Sequence, residues 1–252
     1  GFTISDFRLI QSEGHFNANG NISTAQDLDI NFQAEQLDMD SLMSLVQIDE
    51  RMRGILNING TCKGTIDQPQ ISMSAQIKEG YFREFQFEDM QSDIYWDSKR
   101  NELEIRRLDI ALEKEFQIQA KGNLPLNNLL SREQENPGLD IDYQEIPLDF
   151  QIIMENADLN ILKLFWKNGF SEVMGNIDLQ LHLTGTSVNP IINGEIEVHQ
   201  GNLNLNDLPV QFNEINTRIE VSDNQVIIPP ISFVAYENPF KIAGQFELIN
   251  LL

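Results

Sequence analysis

Gly175-Asn-Ile177-Asp-Leu179-Gln-Leu181-His-Leu183-Thr-Gly185 is followed by Thr-Ser-Val-Asn-Pro190 and then by Ile-Ile-Asn-Gly-Glu-Ile196-Glu-Val198-His-Gln-Gly201. The chain carries this stretch twice. Gly54, Gly64, Pro69 and Gly80 precede Gly175, Gly185, Pro190 and Gly201 by the same 121 residues, without a gap. Between the markers of both copies, apolar residues fall at every second position. Side chains of a strand alternate between two faces, so each copy reads as two strands joined by a Gly/Pro turn.

Working outward, each copy has the same surroundings. Alternating strands precede them at Leu28-Asp-Ile30-Asn-Phe32-Gln-Ala34 and Leu148-Asp-Phe150-Gln-Ile152. Two short helices follow those strands. Asp38-Met39-Asp-Ser-Leu42-Met43-Ser-Leu45-Val46 and Asp158-Leu159-Asn-Ile-Leu162-Lys-Leu-Phe165-Trp166 each offer a capping Asp and apolar residues near i, i+3, i+4 and i+7. Two or three turns do not stand alone in water, so both must dock on an apolar surface. Hairpins are expected at Ile94 to Ile105 and Thr217 to Ile228, with further strands at Leu108 to Leu112 and Ile231 to Ala235. Phe16 to Ile22, Phe116 to Leu124 and Phe240 to Phe246 share an aromatic a few residues ahead of a Gly and read as closing strands.

The resulting organisation is 1–24, the tail of a preceding repeat; 25–126, repeat unit one; 127–146, a polar excursion or hinge with Asn136-Pro-Gly; and 147–252, repeat unit two. The chain begins at Gly1 and ends inside a pattern, and reads as a piece of a longer protein. Roughly sixteen strand-like runs at about 8–12-residue spacing argue for all-β. Stacked at ~4.8 Å, they would form a sheet ~75 Å long, which must curl to cover its apolar face.

That face comprises Leu28, Ile30, Phe32, Leu56, Ile58, Met73, Ile77, Phe116, Ile118, Ile177, Leu179, Leu181, Leu183, Ile196, Val198, Leu203 and Leu205. The opposite face carries Asp29, Asn31, Asn57, Asn176, Asp178, Gln180, His182, Glu195 and Glu197. One dry and one wet face suit a β-sandwich, in which a second sheet covers the dry side, and on composition alone that is the simpler reading. The recurrence of the dry face at the same register in each unit favours instead an open array in which it becomes a stripe.

With 39 acidic against 17 basic residues and a net charge of -22, the chain lacks the basic stripe that nucleic acid requires. Attraction to anionic headgroups through surface charge is disfavoured for the same reason. A 41% hydrophobic content excludes a disordered acidic tail. No apolar run of 18 residues is present. A single cysteine, Cys62, excludes an internal disulfide; in register with Leu183, it reads as a small dry-face residue. No nucleophile elbow, P-loop, dinucleotide fingerprint or Cys-x-x-Cys occurs, so no enzyme and no cofactor is expected. A metal would need His182 and His199 to face each other across adjacent strands beside Glu197; solvated wet-face residues are the simpler account, and no metal site is expected. His15 is expected in a turn. Asp38/Asp40 reads as a helix cap and Glu133/Glu135 as a loop.

The order of strand, capped helix, Gly-x10-Gly-x5-Pro pair, apolar hairpin and closing strand resembles the TamB/AsmA-like family of envelope proteins. The markers are Gly54, Gly64, Pro69, Gly80 and Gly122 in one unit, and Gly175, Gly185, Pro190, Gly201 and Gly244 in the other. Glu84 departs from the pattern, standing where unit two has Leu205. The resemblance implies an elongated, strongly curved sheet forming an open trough, a β-taco, with two short helices. It implies a periplasmic protein whose apolar groove takes phospholipid acyl chains between inner and outer membranes. The full-length protein would be anchored in the inner membrane through parts absent here, with an outer-membrane β-barrel partner of TamA type. A scaffold for assembling outer-membrane β-barrel proteins, offering sheet edges instead of an apolar interior, is the alternative. Trp166 could then be a lid over the groove rim or ordinary helix-on-sheet packing.

Overall fold

The computed structural model describes residues 1–45, 52–82, 85–112, 117–125, 147–165, 169–206, 211–235 and 238–248. The expected excursion over 127–146, and Val46, Glu84, Phe116, Glu133, Glu135 and Trp166, lie outside them. Two compact units divide the chain, Gly1–Glu113 with Ala120–Gln144, and Lys114–Gln119 with Glu145–Leu252.

The first unit contains β1 (Phe2–Gln11), β2 (Gly14–Ile22), β3 (Asp27–Asp38), α1 (Met39–Leu45), β4 (Met52–Thr65), β5 (Pro69–Phe82), β6 (Phe85–Asp97) and β7 (Glu102–Ala111). β8 (Gln117–Pro125) straddles the division. The second contains β9 (Asp149–Asp158), a 3-10 turn (Leu159–Ile161), α2 (Leu162–Phe165), β10 (Phe170–Gly185), β11 (Pro190–Leu205), β12 (Gln211–Ser222), β13 (Gln225–Ala235) and β14 (Asn238–Glu247). Strand order follows chain order, and the pairings are antiparallel. The protein is all-β, and its sheet is open, not closed into a barrel. Within each unit every described strand belongs to that one sheet, so neither unit is a sandwich in itself. Among the described residues, no helix is long and apolar enough to cross a membrane.

The repeat seen in the sequence is a repeat of backbone conformation. Gly64 and Gly185 close the β4–β5 and β10–β11 turns with φ of 91° and 85°, where a side chain would strike the carbonyl of Gln68 or Asn189. Gly54 and Gly175, φ 135° and 113°, sit where the register of the same pairs slips. Gln36 and Asn156 are left-handed at 51° and 52°, as are Glu79 and Gln200 at 49° and 51°. Each is a bulge that inserts an extra residue. The extra residue in β5 and in β11 restores the apolar phase, so that Val198 and Leu203 share a face although they are an odd number of positions apart.

Two strands expected from the sequence as separate pieces are joined. Leu103–Ile105 and Leu108–Ile110 both belong to β7, bent by a register slip opposite Asp93/Ile94. Val226–Ile228 and Ile231–Ala235 form β13 across Pro229-Pro230. Prolines have no N–H for the ladder, and the pairing to β14 slips between Ile228 and Ile231. Both Asp caps form. Asp38 Oδ1 accepts the Ser41 N–H at 2.8 Å, and Asp158 Oδ1 accepts the Asn160 N–H at 2.8 Å.

Candidate functional site

Directly paired residues of an antiparallel sheet project to the same side, so the registers assemble the apolar face row by row. In unit one, Ala18, Phe32, Gly60, Met73, Ile94 and Ile105 lie side by side across β2 to β7. The next row is Gly20, Ile30, Cys62, Ile71, Trp96 and Leu103. Large and small alternate for a reason. The Phe32 ring lies over Gly60 and the Phe87 ring over Gly80, and a methyl at either glycine would collide with the ring. Phe16 stacks on Phe32 at 6.2 Å and meets Phe7 edge-on at 6.3 Å.

In unit two, Phe150, Leu183 and Ile192 form one row, and Ile152, Leu181, Gly194, Val221 and Val226 the next. Met154, Leu179, Ile196 and Ile219 follow, then Ala157, Ile177 and Val198. Leu203 pairs with Val173 and Phe212, and Leu205 with Phe170. Phe233 stacks on Phe240 at 5.7 Å and meets Phe212 at a tilt, 5.1 Å away.

The face is not uniformly covered. At the helical end it is a core: Ala34, Leu37, Met39, Leu56, Ile77 and Phe87 are buried, with Leu42 and Met43 of α1 packed against them. Unit two repeats this with Ala157, Leu159, Ile161, Val173 and Ile177. Away from the helices the same face is half-buried at Leu28, Ile30, Phe32 and Met73, and at Leu179, Leu181, Leu183 and Ile196, while Val221 and Val226 beside them are buried; Ile58, Val198, Leu203 and Leu205 are half-buried next to the core residues of the helical end. Ile118 on β8 is half-buried too. Of the residues read from the sequence, Leu56, Ile77 and Ile177 are buried at the helical end, Ile58, Val198, Leu203 and Leu205 border it, and the others described lie on the open part. The sequence reading left out Ile71, Ile94, Trp96, Leu103, Phe150, Ile152, Ile192 and Ile219. Their strands were legible, but pairing register was needed to put them on this face.

Cys62 lies on the dry face between Ile30 and Ile71, and desolvation raises its thiol pKa. His15 lies on β2, not in a turn, with its ring 3.6 Å from Glu35. His182 does not face His199. It pairs across from Asn193 and meets Asp149 at 2.7 Å, while His199 meets Asp178 at 2.8 Å.

In each unit, antiparallel bulged strands form one open sheet whose apolar face is covered by short helices at one end and half-buried over much of the rest, the features of a repeating β-groove class of protein. The family model for the TamB C-terminal domain matches residues 5–213, and the chain belongs to that family. It is thereby a bacterial cell-envelope protein of a family associated with the partner TamA and not known for enzymatic activity. No curated protein and no solved structure matches the chain.

Proposed function

We propose that this chain is a non-enzymatic segment of a conduit that carries phospholipid between the inner and outer membranes, with acyl chains lying on the open part of the apolar face. The observation that supports this most is the half-buried dry face, set at the same register in both units. A core would be covered; a stripe this large left to water is an aggregation hazard. Acyl chains supply the missing cover at ~0.8 kcal/mol per buried CH₂. Helices shield only one end in each unit, so the rows through Phe32, Met73 and Ile94 and through Leu181 and Leu183 are the ones an acyl chain would contact. The polar face, with its excess of carboxylates, faces the periplasm.

A second reading, a scaffold for assembling outer-membrane β-barrels with a TamA-type partner, draws on β14. Every residue of that strand is exposed, and Phe240, Ile242 and Phe246 are among them. Native mass spectrometry with lipid extraction, on protein purified in mild detergent, separates the two. The conduit predicts co-purified phospholipid that is lost in Leu181→Glu. Protein free of lipid that also binds none when phospholipid is added would sink it.

A further inference from the structure

On the polar face, the two units present different chemistry from the same backbone positions. Asp178 pairs with Glu197, and Asn176 with His199, across β10 and β11. The positions 121 residues earlier pair identically across β4 and β5, Asn57 with Gln76 and Ile55 with Lys78. Where unit one holds two amides and an ammonium, unit two holds two carboxylates and an imidazole. The first set cannot ligate a cation well; the second is composed of ligands.

Their arrangement is convergent. His199 Nε2 lies 2.8 Å from Asp178 Oδ2 and 3.7 Å from Glu197 Oε2. One donor atom from each of the three residues lies within 4.8 Å of the others. Both carboxylates have their remaining oxygen fixed elsewhere. Asp178 Oδ1 accepts the Asn156 N–H at 2.6 Å, the bulge contact that Asn57 Oδ1 makes with the Gln36 N–H at 3.0 Å in unit one. Glu197 Oε1 accepts from Arg218 Nη1 at 3.0 Å. Outer contacts of this kind orient metal ligands, and a bound ion would replace the inner contact between His199 Nε2 and Asp178 Oδ2.

We propose that Asp178, Glu197 and His199 bind one divalent transition-metal ion, zinc in preference to magnesium or calcium, with water completing its shell. An imidazole beside carboxylates suits zinc, whereas magnesium and calcium take all-oxygen surroundings. Side chains exposed by 41%, 31% and 49%, in that order, leave a route in and room for water. The net charge of -22 concentrates cations at the surface. This departs from the expectation of no metal drawn from the sequence, where the histidines were paired with each other and Asp178 was overlooked. The ion would staple β10 to β11.

Isothermal titration of the 252-residue chain with zinc chloride tests the site. One saturable zinc site is expected, with magnesium much weaker. Asp178→Asn/Glu197→Gln/His199→Lys installs the residues the same frame already carries in unit one, so the fold should survive and zinc affinity should fall at least about tenfold. His199→Gln alone should do likewise and serves if the triple variant loses its β spectrum. His182→Ala should bind as wild type. In the wild type, zinc should shift the His199 side-chain nitrogen resonance. Absence of a saturable zinc site, or equal affinity in His199→Gln, would overturn the proposal and leave an ordinary histidine–carboxylate ion pair.

Discussion

Leu181 and Ile177 point to the same side of β10, four residues apart with Leu179 between them, yet they occupy different environments. Leu181 is half-buried between Ile152 and Gly194. Ile177 is 4% exposed between Ala157 and Val198, close to the buried Leu159 and Ile161. Fully burying a leucine contributes about 1.5–3 kcal/mol, so half-burial puts about 1 kcal/mol at stake in Leu181→Glu. Lower strand propensity adds up to about 1 kcal/mol, and the new carboxylate still reaches water. The sum is about 1–2 kcal/mol. Ile177→Glu instead places an unpaired charge in a closed core, which costs more than about 4 kcal/mol. Urea unfolding followed by far-UV circular dichroism measures both. A Leu181→Glu protein with an unchanged m-value and a slightly lower midpoint is expected, against an unfolded or molten second unit for Ile177→Glu. If Leu181→Glu proved as destructive as Ile177→Glu, the open face would be a closed core and the reasoning would fail.

Other consequences concern the frame. Gly185→Ala should cost about 1–3 kcal/mol, because a side chain there meets both a strained φ and the Asn189 carbonyl. Gly244→Ala, with nothing within 4 Å, should stay within about 0.5 kcal/mol; thermal melts of the two variants give the comparison. Asp38→Ala should cost about 1 kcal/mol at neutral pH through loss of the helix cap. The Ser41 hydroxyl, and then its N–H, stabilise the Asp38 carboxylate and hold its pKa below the ordinary value. Its charge-dependent contribution is thus fully present above the unfolded carboxyl value of about 3.9, and fades as pH falls through the lower folded value. The gap between wild type and Asp38→Ala should therefore narrow in acid, and a gap that widens there would contradict the assignment.

The strand content, both capped helices and the 121-residue frame were legible because alternation, Asp caps and Gly/Pro turns are local signals. The bulges were not. Gln36, Glu79 and Gln200 carry no sequence mark of a left-handed backbone, yet with Asn156 they decide which apolar residues stay in phase. Thr217 to Ile228 and Ile231 to Ala235 read as separate pieces, but β13 runs through Pro229-Pro230 with a bulge. The apolar face was half-legible. Its central strands could be aligned by the repeat, whereas Ile94, Trp96 and Leu103 needed the β5–β6 and β6–β7 registers. Which part of the face is covered depends on where the short helices dock, and no local pattern encodes that. The Asp178, Glu197 and His199 cluster was hidden for the same reason: the register puts Asn176, not His182, opposite His199 and so brings Asp178 beside it.

The most direct measurement is photo-crosslinking in cells producing the full-length protein, with a photoreactive amino acid at Leu183 on the dry face or at Gln180 on the wet face of the same strand. Phospholipid adducts are expected at Leu183 and none at Gln180. Protein adducts alone at Leu183, or equal lipid labelling at both positions, would contradict it.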